Sequence, residues 1–150
     1  MKHLFFALIC VLMLALSNAF AQSDVEKVLQ EAKTLGEEGL KTQDFKKLQD
    51  ARIKALSIAN QNKKAYTLIG DLYFNSYLMC KAGDAVISRG VFLIAYDMYV
   101  QANDTEKMKN AKEQFPSITD VFTLAKKEGE DIKVGCWINE KTILRVRQRQ

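Results

Sequence analysis

The 150-residue sequence holds one histidine, His3, one proline, Pro116, and one tryptophan, Trp137. His3 lies in an N-terminal segment that reads as an export leader. The remainder therefore has no imidazole for nucleophilic, acid–base or zinc chemistry. One proline and seven glycines leave little material for a turn-dense sandwich or a long flexible linker. Neither a P-loop nor a G-x-G-x-x-G pattern occurs, so nucleotide binding has no signature. No sign of charge dominates: Lys+Arg 22 against Asp+Glu 18 gives +4, too mild for a dedicated nucleic-acid binder. What remains, 48% hydrophobic and 27% charged residues, is the material of one soluble domain.

The first 21 residues read MKHLFFALICVLMLALSNAFA. Lys2 and His3 precede an apolar run from Leu4 to Leu16, shorter than the roughly 20 residues of a membrane span. Ala19-Phe20-Ala21 supplies a small-residue cleavage site before Gln22. The reading is a signal peptide over 1–21 and an exported domain over 22–150, periplasmic or secreted, with no membrane span after cleavage. Cys10 lacks a lipoprotein box and leaves with the leader, so Cys80 and Cys136 remain. That even pair in an oxidising compartment fits one disulfide, or equally two separately buried thiols.

Helical periodicity runs from Ser23 to about Lys127. Ser23-Asp24-Val25-Glu26 has the form of a capping box, followed by a stripe through Val28, Leu29, Ala32, Leu35 and Gly36. A second helix carries Phe45, Leu48, Ala51, Ala55 and Ile58 inward. A third, extended one runs from about Lys63 to Cys80, and a fourth follows Ala82-Gly83-Asp84 with Phe92, Ala95, Tyr99 and Ala102. Asp104 caps a fifth with Met108 and Ala111 inside; Phe115-Pro116-Ser117 stops it and starts a sixth through Val121, Phe122, Leu124 and Ala125. These last two cap the domain over about 105–128. From Asp131 the apolar period changes to two, and a β-hairpin is expected over 131–147, packed through Trp137 and Leu144. Arg145 to Gln150 reads as a frayed, solvated basic tail, with a binding site as the alternative.

A repeat is also legible. Tyr66, Ile69, Gly70 and Tyr73 are spaced as aromatic-x2-aliphatic-Gly-x2-Tyr, and Ala95, Tyr99 and Ala102 as Ala-x3-aromatic-x2-Ala. Small residues suit the places where two helices approach closely, and the aromatics fill the space beside them. One repeat length earlier, roughly 34 residues, stand Leu35 and Gly36, with Ala32 and Ala55 at the flanking positions. The repeats then span about 29–62 and 63–107, the second enlarged by an insertion around 76–89. A plain helical hairpin would account for either match taken alone.

The spacing, together with Gly135-Cys136-Trp137-Ile138-Asn139-Glu140-Lys141-Thr142, resembles exported tetratricopeptide-repeat proteins of the Bacteroidetes type, at the C-terminal end of longer members. The resemblance covers most of 43–145. It implies a mainly α fold of antiparallel helical hairpins, an α-solenoid, with a C-terminal β-hairpin, and a role in protein interaction or assembly with no reaction or cofactor. The inner groove of such arrays maps onto Gln30, Lys33, Glu37, Leu40 and Lys41, then Lys64, Thr67, Asp71, Phe74 and Asn75. Glu37 and Asp71 would repel an anionic tail and favour neutral or basic segments. Phe74 is either the apolar anchor of that groove or packing beneath the insertion.

Two function classes follow. The first is a non-catalytic envelope module that binds a protein or peptide. The second is a carboxylate-dependent cell-wall hydrolase, for which Glu37-Glu38 or Glu128 with Glu130 would supply the paired acids. Solvation is the ordinary fate of such pairs on polar helix faces.

Overall fold

In the computed structural model the described residues are 2–148, with side chains described over 22–148; the expected leader, 1–21, lies outside the latter. The chain is mainly helical and closes with one hairpin. Its elements are α1 (Lys2–Thr42), α2 (Phe45–Leu56), α3 (Lys64–Asn75), α4 (Ala85–Ala102), α5 (Thr105–Glu113) and α6 (Ile118–Thr123), then β1 (Asp131–Val134) and β2 (Glu140–Ile143). Among the described residues no helix is long and apolar enough to cross a membrane.

A short polar turn makes α1 and α2 antiparallel. Gln43 takes a left-handed φ of 55°, and the Asp44 carboxylate accepts from the Lys46 and Lys47 amides, so α1 reverses into α2 within two residues. Lys47 with Glu38 and Lys54 with Glu31 mark the opposed directions of the pair. Asp84 caps α4 in the same way, Asp104 caps α5, and Ser117 with Asp120 forms a complete capping box on α6. The Ser117 hydroxyl, and then its amide, hold the Asp120 carboxyl below its ordinary range.

Helix α3 packs along α4 at Gly70, where an added Cβ would stand 2.5 Å from Tyr99 Cε1. Gly90 of α4 brings the hairpin in: a Cβ there would stand 2.5 Å from Val134 Cγ2. The two strands pair antiparallel, Asp131 opposite Ile143 and Val134 opposite Glu140. Ile132 and Val134 face the core while Asp131 and Lys133 face solvent. Buried residues from every helix and from the hairpin form one continuous core, including Leu48, Ile69, Tyr73, Leu93, Val121, Trp137 and Leu144.

Several sequence expectations are corrected. The backbone is helical through Ser23, so Ser23–Glu26 does not start α1, and Glu26 instead reaches Asn62 and Lys64. The third helix stops at Asn75 and is not extended. Ser76 donates its hydroxyl to the Leu72 carbonyl, and Asp84 starts a new helix, so the insertion becomes a loop and the first turn of α4. Phe45 and Phe122, placed inside by periodicity, are 43% and 85% exposed. The strands are shorter than 131–147 suggests: Gly135 to Asn139 form a loop in which Cys136 and Asn139 have positive φ. The basic end is docked as far as Arg147, whose amide donates to the Pro116 carbonyl, while Arg145 bonds Asp97 at 2.7 Å.

Candidate functional site

Helices α1 and α3 lie side by side and run in the same direction, as the contacts Glu26 to Lys64 and Gly36 to Leu72 show. The groove residues expected from the sequence sit on these two helices. Lys33 and Glu37 are exposed and face each other at 3.9 Å, one helical turn apart. Lys64 is exposed and lies 3.6 Å from Glu26, and Thr67 is half-buried. Asn75 is exposed and donates to the Asp71 carbonyl.

Asp71 is a fully engaged carboxylate. It accepts from the Tyr99 hydroxyl at 2.9 Å and takes both of its oxygens to the Lys107 ammonium. Burial, and then the Asp71 charge, push the Tyr99 phenol far above its ordinary range. Since Glu37 also has a cation beside it, the two acids do not present the uncompensated negative charge that the sequence suggests. Phe74 is half-buried with its ring edge-on to Phe92 at a centroid distance of 4.9 Å, and Tyr77 stacks on the same ring at 4.9 Å. Part of Phe74 thus belongs to the aromatic packing under the insertion, and the rest is open to solvent.

The residues read from the sequence as marking a repeat differ in burial. Ile69, Gly70, Tyr73, Ala95 and Tyr99 are buried; Tyr66 and Ala102 are half-buried. The two glycines are not equivalent, however. Gly70 meets its own helical partner α4, whereas Gly36 meets Leu72 of α3.

Cys80 and Cys136 are at bonding distance, with Cα atoms 5.4 Å apart, tying the insertion loop to the hairpin loop. Beside them lies a polar centre that sequence reasoning missed. Arg52 of α2 donates from one guanidinium nitrogen to Glu140 at 2.8 Å, to the Ile138 carbonyl at 2.9 Å and to Tyr73 at 3.3 Å. The Tyr73 hydroxyl also donates to Glu140 at 2.8 Å. The guanidinium lies over the Trp137 ring at 5.7 Å, and Trp137 Nε1 donates to Ser76 at 3.0 Å. Burial raises the Tyr73 phenol far above its ordinary range. The available signal was a cation within one turn of the apolar Leu48, Ala51 and Ala55, since a charge that close to a core needs a partner.

The paired acids considered for hydrolysis are distributed among structural contacts. Glu38 pairs with Lys47, Glu130 pairs with Lys126 and accepts from the Lys127 amide, and Glu128 accepts from the Val146 amide. Among the described residues no cluster of three His, Cys, Asp or Glu side chains could hold a metal ion. No family model matches the chain, and no curated protein or solved structure matches it.

Proposed function

We propose that the protein is an exported, non-catalytic tetratricopeptide-like module that binds or assembles other proteins in the cell envelope, of the kind found in Bacteroidetes-type bacteria. The observation that carries this reading is the same-direction packing of α1 and α3, with Glu26 against Lys64 and Gly36 against Leu72. It aligns the first helices of two successive pairs into one surface. Lys33, Glu37, Lys64 and Asn75 lie exposed on those helices, with Phe74 as a partly open apolar contact. Such a surface suits a protein segment better than a small molecule, which takes a concave and mostly apolar pocket.

Two features support export. The leader 1–21 has the three-part form of a signal peptide. A cysteine pair at bonding distance suits an oxidising compartment.

A photoreactive amino acid replacing Thr67 tests the reading in cells that export the protein. The expected result is one discrete covalent adduct with a partner protein, weakened by Lys33→Glu with Lys64→Glu. Absence of any adduct, with degradation of cell-wall material by the purified protein, overturns the reading in favour of a hydrolase.

A further inference from the structure

The docked C-terminal segment forms one wall of an open cleft of about 1110 Å³. The facing wall is α5, which contributes Lys109 and Lys112, and the tail contributes Arg145 and Arg147. Tyr96 of α4 lies between them, with the Lys112 ammonium 5.2 Å and the Arg145 guanidinium 5.3 Å from its ring centroid. Arg145 is already committed to Asp97 at 2.7 Å. Among the described residues Lys109, Lys112 and Arg147 have no carboxylate within ion-pair distance. Lys109 and Lys112 keep their charge available to a ligand, and Arg147 does so while one guanidinium nitrogen donates to the Glu113 carbonyl at 3.2 Å.

Two acids, Glu113 and Glu128, also line the cleft. They discriminate among anionic ligands. A peptide backbone brings an N–H donor at nearly every residue that these carboxylates can bind, whereas a phosphodiester backbone or an anionic phospholipid face presents mainly negative charge. The volume also exceeds the roughly 300–1,000 Å³ of small-molecule sites, leaving room for a chain segment.

From this we infer that the cleft is a docking site for an acidic peptide segment of a protein partner. Lys109, Lys112 and Arg147 bind its carboxylates, and Tyr96 takes an apolar or aromatic side chain beside them. The inference rests on the interaction-module reading and adds to it a second contact with a stated charge. The α1–α3 surface, whose acids Glu37 and Asp71 both have cations beside them, does not supply that charge preference.

The test is fluorescence anisotropy of the full exported chain with a labelled peptide of glutamates around one tyrosine, and with the same peptide carrying lysines instead. The expected result is saturable binding of the acidic peptide alone, weakened by salt. Lys112→Glu with Arg147→Glu should lower its affinity at least about tenfold, while Lys133→Glu, on the solvent side of β1, leaves it unchanged. If the charge-reversed protein does not fold, Lys109→Gln with Lys112→Gln, both exposed positions, reads the same loss. No binding of the acidic peptide overturns the inference, as does tighter binding of duplex DNA or of vesicles rich in anionic lipid through the same residues. A crosslink from position 67 that persists while the peptide fails to bind removes this site and leaves the module reading standing.

Discussion

Gly70 and Tyr99 are in contact at a distance that admits no side chain: a Cβ on Gly70 would stand 2.5 Å from Cε1 and 2.7 Å from Cδ1 of the tyrosine ring. The same ring is fixed at its far end, where the hydroxyl donates to Asp71, one residue along α3. The ring therefore cannot swing aside without losing that hydrogen bond.

Gly70→Ala should destabilise the fold by about 1–3 kcal/mol through overpacking, despite the better helix propensity of alanine. Tyr99→Leu should cost stability by itself yet reduce the penalty of Gly70→Ala in the double variant. Thermal melts of the four proteins measure this coupling. Simple additivity would mean that the two residues do not constrain each other.

The Cys80–Cys136 link closes a separation of 56 residues. In the chain-entropy model a loop of that size contributes about 4 kcal/mol, an upper figure because native-state strain subtracts from it. Cys80→Ser with Cys136→Ser should lower stability by about 2–4 kcal/mol, read by denaturant titration. Alkylation mass spectrometry of the protein purified without reductant should find neither Cys80 nor Cys136 free.

Arg52→Met keeps the aliphatic length but leaves the Ile138 carbonyl and Glu140 without their cation. The expected loss is about 2 kcal/mol, reduced from that of a fully buried pair because Glu140 is partly exposed. Trp137 is 2% exposed and lies beside the guanidinium, so its fluorescence should shift to the red. An unchanged emission maximum would detach Arg52 from the loop.

Alkaline pH should destabilise the protein through Tyr73 and Tyr99. Both phenols are raised by burial, so the folded state holds these protons more tightly than the unfolded chain does. That contribution is complete below the ordinary tyrosine value of about 10 and is lost progressively as pH rises above it. Melting temperatures across that range should fall more steeply for the parent than for Tyr99→Phe. A parallel fall would assign the loss to other groups.

Much of this architecture is legible in the sequence because it is encoded locally. Asp84, Asp104 and Ser117 cap the helices that their own sequence contexts predict, and the change of period at Asp131 marks the hairpin. What escaped depends on residues distant in the chain. The period of two continues past Val134, but Cys136 is drawn to Cys80 and Trp137 to Ser76, so strand gives way to loop. The basic tail reads as solvated until Asp97 and the Pro116 carbonyl are brought to it. Asp71 reads as a groove acid because Lys107, its partner, lies 36 residues away. Periodicity finds an apolar face, yet it does not say whether the fold covers that face, as exposed Phe122 illustrates.

Quantitative crosslinking of the protein in the cells that make it, paired with a cell-wall turnover assay on the purified chain, separates the proposed interaction module from an enzyme. The expected result is a partner protein recovered at fixed stoichiometry, with crosslinks on the α1–α3 surface or in the cleft beside Tyr96, and no turnover. Turnover of cell-wall material abolished by Glu37→Gln or Glu128→Gln, with no stoichiometric partner, would contradict it.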